Sequence, residues 1–243
     1  MSAIRPAPEP FVPLPVFDPR TVPISGVDTH LPAIDPVQLS PQALRQRFAA
    51  PPAWEPEVLR EKKFADRQPA PAAVLVPLVQ RGPRPNDLTV LLTQRTAHLS
   101  THSGQIAFPG GKVDAEDADA TAAALREARE EIGLEPGWVQ VLGSLPVYIT
   151  GTSFWVTPVV ALVQPGFSLQ PNADEVDDVF EVPLDFLMNP AHHRRHRMVR
   201  DGVVREWFSM PYVQASPPEA GQERFIWGAT AGMLRNFYRF LAA

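Results

Sequence analysis

The chain has 243 residues, 44% of them hydrophobic and 20% charged, a balance that suits a globular protein with room for one full core plus an extension. A formal charge of −5 argues against the broad basic surface of a general nucleic-acid binder, so no nucleic-acid partner is expected. Without cysteine there is no disulfide framework, thiol nucleophile or thiolate zinc site, and no apolar run approaches the ~20 residues that span a bilayer, so the expectation is a cytoplasmic protein without a membrane partner.

About half of the 29 prolines lie before Ala72. Residues 1–70 therefore read as a proline-rich N-terminal extension and 71–243 as the main domain. Residues 1–37 show neither a helical nor an alternating period. Two short helices are predicted after them. "LSPQALRQRFAA" offers Ser40 as N-cap with Pro41 at the first helical position, and "PEVLREKKFAD" has helix-forming composition. They could pack on the core or serve as the arm of a homodimer.

From Ala72 strands follow: "AAVLVPLVQ", the turn "RGPRPND" and "LTVLLTQR". A loop runs through "FPGGKVDAEDAD" to a helix over Ala120–Ile132, then come the strands "WVQVLGSLPVYI" and "FWVTPVVALVQ". "AHHRRHR" reads as a surface basic loop, and Asp201-Gly202 suits the turn of a hairpin within "HRMVRDGVVREWFSM". The last element is an amphipathic helix on which Ile226, Ala229, Met233, Phe237 and Phe240 recur at helical spacing, with Trp227 and Phe237 on its core side. Strands interleaved with a few helices indicate an α/β layered domain.

The helix over Ala120–Ile132 carries a problem. At about 100° per residue, Glu127, Glu130 and Glu131 share an arc of roughly 100° beside the apolar stripe of Ala124, Leu125, Ala128 and Ile132. Like charges at i,i+4 cost about 0.2–0.5 kcal/mol per pair. Arg126 can hold Glu130 at i+4, and a hard divalent cation such as Mg²⁺ or Mn²⁺ could bind the cluster. On these residues alone, a solvated face of Arg/Glu pairs is the alternative.

The surroundings of the helix resemble the Nudix box, G-x5-E-x7-R-E-U-x-E-E-x-G-U with U apolar. Arg126, Glu127, Ala128, Glu130, Glu131, Gly133 and Leu134 fill its second half. The first half is one residue longer than the pattern. Strict counting puts Lys112 and Ala118 at its glycine and glutamate, with Gly111 and Asp117 as the shifted counterparts. Upstream, Leu91, Leu92, Thr93, Arg95, Gly104, Phe108, Pro109, Gly110 and Gly111 match the signature of the coenzyme A pyrophosphatase branch, while Thr96 and Ser100 depart from it. Ser100 stands where the signature has arginine, a bidentate phosphate partner.

The resemblance implies a Nudix-type α/β/α sandwich with a mixed sheet, hydrolysing a nucleoside diphosphate substrate, in particular coenzyme A. It implies Glu127, Glu130, Glu131 and the Gly111 carbonyl as metal ligands for Mg²⁺ or Mn²⁺, with Arg126 completing the catalytic helix. Glu175 is the late acidic residue that binds metal or acts as general base, with Asp174 and Asp178 as possible substitutes. Arg95, His102, Gly104, Gln105, Phe108 and Lys112 become the expected substrate contacts.

Overall fold

The structure is a computed structural model that describes residues 18–63, 68–84, 87–96, 104–200, 202–214 and 219–243. Residues 1–17, Ser100, His102 and Asp201 lie outside them.

The chain begins with strand β1 (Ile24–Val27) and helix α1 (Pro41–Ala49), then β2 (Ala70–Gln80), β3 (Leu88–Arg95), β4 (Ile106–Ala107) and β5 (Gly110–Lys112). Helix α2 (Ala120–Ile132) leads to β6 (Val139–Ser144), β7 (Tyr148–Ile149), β8 (Phe154–Val163) and β9 (Val176–Pro183). The short helix α3 (Leu184–Leu187), strands β10 (Arg194–Arg200), β11 (Val203–Val213) and β12 (Glu223–Trp227), and helix α4 (Gly228–Ala242) complete it.

Strand β2 is the spine of the main sheet. One edge pairs in parallel with β8 from Ala70↔Phe154 to Val79↔Val163, and the other pairs antiparallel with β5 and β3. Its two faces are both buried, which explains its nearly continuous apolar sequence. Ala73, Leu75 and Val79 meet Ala124, Ala128 and Ile132 of α2, while Ala72, Val76 and Leu78 join the larger cluster that holds Leu234, Phe237 and Leu241 of α4. This is the expected α/β/α arrangement with a mixed sheet. A second sheet, ordered β1-β10-β11-β12, supplies Phe208, Met210 and Ile226 to the α4 side.

The N-terminal segment contributes to that same cluster through Ile34, Leu39 and Leu44. Helix α1 has the expected start, with Ser40 Oγ accepting from Ala43 N at 3.3 Å and Pro41 in the first turn. "PEVLREKKFAD" corrects the prediction: its described residues are not helical. Glu61 N donates to Ile149 O, Ile149 N donates to Leu59 O, and Asn236 Nδ2 donates to Val58 O, so tertiary partners hold the chain extended against its propensity. Ile226 and Trp227 belong to β12 and the helix boundary rather than to α4, because Gly228, at φ 63°, turns the chain between them. "AHHRRHR" is not a surface loop: His193 and His196 are buried, with His196 on β10 stacked against Trp207. The hairpin of β10 and β11 is present, its Arg200↔Val203 pairing consistent with a two-residue turn. No described helix is long and apolar enough to cross a membrane.

Candidate active site

Helix α2 starts where Asp119 Oδ1 accepts from Ala122 N at 2.8 Å, and it stops at Gly133, whose φ of 69° ends it in a left-handed turn. Between these points its buried stripe fixes rotation against β2 and β8. That rotation takes Glu131 inward, to 4% exposure, and leaves Glu130 at the surface.

The double glycine opposite the helix receives the inward carboxylates. Gly110 N donates to Glu131 Oε2 at 3.0 Å. A Cβ on Gly111 would lie 2.3 Å from Glu127 Oε1, so only glycine leaves that carboxylate its place. Arg95, at the end of β3, reaches Glu131 Oε1 with Nη1 at 3.4 Å, and its Nε is buried without a hydrogen-bond partner among the described residues.

Arg126 organises the outer half. Its Nε and Nη2 bond the two oxygens of Asp117 at 3.0 and 2.8 Å, Nη2 also donates to Lys112 O at 3.0 Å, and Nη1 reaches Glu127 Oε1 at 3.1 Å and Glu130 Oε2 at 3.0 Å. The i,i+4 pair read from the sequence is therefore present. Asp117 acts here as a structural partner of Arg126, which it holds firmly protonated.

Charge is costly in this corner. Burial pushes Glu131 up to about 7, opposed by the Gly110 N–H and Arg95, and Glu127 and Glu175 push it further. Burial also raises Glu127, with Arg126 pulling back and Glu130 and Glu175 adding to the rise. Glu175 thus stands within electrostatic reach of both helix carboxylates. Its loop is pinned there: Asn172 N donates to Glu131 O at 2.8 Å, and Thr96 N donates to Glu175 O at 3.0 Å.

The remaining expected contacts divide. Gln105 O accepts from Arg95 N at 3.0 Å, and Gly104 adjoins it in a left-handed turn. Phe108 and Lys112 are different. Phe108 is 3% exposed and packs inside the α4-side cluster, not the cluster of α2 that carries the carboxylates. Lys112 pairs with Ala72 of that side whereas Gly111 pairs with Ala73 of the α2 side, so strand alternation turns the Lys112 side chain away from Glu127. Asp178, a possible substitute for Glu175, is bonded instead to Arg224 Nη2 at 2.5 Å. The sequence assigns no role to Arg224, which stands there at the head of the stretch read as the last helix.

Among the described residues, no three acidic or histidine side chains converge into a ready-made ion cage, because Arg126 bridges Glu127 and Glu130. The donors nevertheless fit a hard divalent cation in kind. They are oxygens alone, and burial raises Glu131 despite Arg95 beside it, so a further positive charge there would favour its ionised form. Carboxylates and an arginine around an anion-accepting loop suit the hydrolysis of a diphosphate.

Comparison with known proteins agrees with this chemistry. Residues 69–211 match the family described as "NUDIX domain". The "Uncharacterized Nudix hydrolase NudL" of Escherichia coli (strain K12) is 43% identical over 166 residues, covering 68% of this chain and 79% of the relative. The protein of the same description from Shigella boydii serotype 18 is 42% identical over the same shares. Among solved structures, the Nudix hydrolase RenU from M. smegmatis is 26% identical with a TM-score of 0.43, covering 51% of this chain and 79% of that one.

Proposed function

The chain belongs to the Nudix family of pyrophosphohydrolases, and on that premise we propose that it hydrolyses the diphosphate of coenzyme A and its derivatives to 3′,5′-ADP and 4′-phosphopantetheine. The observation that carries the site is that Glu127 and Glu131 of α2 lie against Gly111 and Arg95 with Glu175 within electrostatic reach, four separate stretches of structure. Support for the substrate comes from the positions between Leu91 and Gly111 that match the coenzyme A signature.

Glu127, Glu130, Glu131 and the Gly111 carbonyl would hold Mg²⁺ or Mn²⁺. When bound, such an ion neutralises the diphosphate and acidifies water. The chain's own groups do the rest. Arg126 keeps Glu127 and Glu130 oriented, and Arg95, with a donor to spare, holds a phosphoryl oxygen. Glu175 accepts the proton of the attacking water as its oxygen bonds to phosphorus and the bridging P–O bond breaks, the electron pair leaving with the departing phosphate. Water and a diphosphate give two monophosphates, which balances. A cytoplasmic location fits such a substrate, and a homodimer remains the proposed assembly.

A rival reading is hydrolysis of another nucleoside diphosphate derivative, such as ADP-ribose or a dinucleotide, and Ser100 in place of arginine favours it. A non-catalytic sensor is disfavoured because all three glutamates of the helix, Glu127, Glu130 and Glu131, are kept. Incubation with Mn²⁺ and equal concentrations of coenzyme A, ADP-ribose and a diadenosine polyphosphate, followed by chromatography, decides between them. Faster release of 3′,5′-ADP than of any other product is expected. Turnover of another substrate without coenzyme A cleavage refutes the substrate but keeps the chemistry.

A further inference from the structure

Strands β3 and β9 pair regularly from Thr89↔Pro183 to Gln94↔Asp178, then the register slips. Arg95 faces Val176 rather than Asp177, so one extra residue bulges from β9 at the last rung before the site. A one-residue slip in a strand exchanges its faces. Val176, which regular alternation would place beside Asp178 on the α4 side, joins instead the cluster around Ala128 and Ile132 of α2. The residue before it, Glu175, lies in the turn that enters the strand, where its O accepts from Thr96 N at 3.0 Å next to the bulge and its charge is felt by the carboxylates of that helix. Arg95 leaves the bulge on the same side and reaches Glu131.

The rung that closes the bulge is held from behind by one side chain. Arg224 of β12 is 2% exposed and stacks over the Phe180 ring at 4.3 Å. Its Nη1 donates to Gln94 Oε1 at 3.1 Å and its Nη2 to Asp178 Oδ2 at 2.5 Å, so a single rigid fork bonds both partners of the rung. Bulges near active sites re-aim side chains, and a charged group buried this deeply is kept only where its partners are fixed.

Resting on the site proposed above, we propose that Arg224 is a positioning residue for catalysis, clamping the β3–β9 bulge that aims Arg95 and Glu175 at Glu131. It touches no substrate and acts through those two residues. Lysine cannot replace it, since an ammonium lacks the planar fork that spans Gln94 and Asp178 while lying on Phe180.

A double-mutant cycle on the full chain tests this, using Mn²⁺ and coenzyme A, or whichever substrate of the panel turns over fastest. Glu175→Gln and Arg95→Ala are each expected to lower kcat. Arg224→Met is expected to lower kcat by about ten- to a hundredfold, the scale of a small misplacement of catalytic groups. In a background carrying both Glu175→Gln and Arg95→Ala the same substitution is expected to cost no more than about twofold, because both groups it aims are already disabled. Leu44→Ala, a core truncation remote from the bulge, controls for loss of stability and is expected to leave kcat intact well below its melting temperature. If Arg224→Met does not fold, Gln94→Met takes its place, cutting one arm of the clamp while leaving the ion pair. Full activity of the clamp variant, or a loss that multiplies with that of the combined Glu175→Gln and Arg95→Ala background, overturns the clamp while the site stands. Wild-type activity in both Glu175→Gln and Arg95→Ala overturns the site, and the clamp with it.

Discussion

Gly111 shows how one missing side chain can set a site. A methyl group there would meet Glu127 Oε1 at 2.3 Å, but that oxygen ends a flexible side chain and can move aside. Gly111→Ala should therefore leave the melting temperature nearly unchanged while Mn²⁺ affinity and kcat fall about tenfold or more. A variant that binds Mn²⁺ normally would show that the carboxylate does not need its present place. Glu131 offers the complementary test. Its pKa of about 7 exceeds the ordinary 4.5. The folded protein then holds a proton that the unfolded chain has lost between those values, so this group's stabilising contribution is full below pH 4.5 and disappears as pH rises through 7. In metal-free protein, Glu131→Gln should gain stability at pH 8, by up to about 3 kcal/mol, while losing most activity. Urea titrations at pH 5 and pH 8 measure this, and an equal effect at both would contradict it.

Helix α2 is the element most legible in the sequence, because local chemistry fixes both of its ends. Asp119 caps the first turn and Gly133 terminates the last. Asp119→Ala should cost about 1 kcal/mol, or roughly 2–4 °C in a chain of this size, and leave kcat unchanged, since the cap lies at the far end of the helix from Glu131. A melting curve and an assay below the transition check both halves. Strand β9 was illegible by comparison. "EVDDVFEVP" alternates properly only after its bulge, and no local signal says that Val176 and Phe180 belong to opposite layers. Residues 56–63 misled for the opposite reason: their composition favours helix, but bonds to Ile149 and Asn236 outweigh a preference of a few tenths of a kcal/mol per residue. Phe108 and Lys112 sit in a stretch that matches a signature, yet strand alternation and burial decide which members face the site.

At the scale of the molecule, a network of ion pairs joins segments that no sequence pattern connects. Asp28 and Glu57, before the main sheet, grip Arg195 of β10 and Arg235 of α4, with Asp28 Oδ2 at 2.8 Å from Arg195 Nη2 and 2.9 Å from Arg235 Nη2. Behind this network lies His193, fully buried. Leu187 O can only accept and the Arg235 guanidinium can only donate, so His193 carries its proton on Nε2 and presents a bare Nδ1 to Arg235 Nη1 at 3.1 Å. A second proton would bring two cations together out of water. Burial lowers the pKa of His193 to about 4, helped by Arg235 and His192 and opposed by Leu187 O and Asp28, while Tyr238 packs its ring edge to face. The unfolded chain, titrating near 6.5, binds the proton first on acidification. Stability should therefore fall as pH drops from 6.5 to 4, by up to about 3 kcal/mol from this residue. Glu131 acts in the opposite direction over part of that range, so the measurement belongs in the Glu131→Gln background, comparing His193 with His193→Gln by urea denaturation at pH 7 and pH 4.5. The doubly substituted protein should be less stable at pH 7 and lose less stability between pH 7 and pH 4.5 than the protein that keeps His193. An unchanged acid slope would show that a group other than His193 sets it.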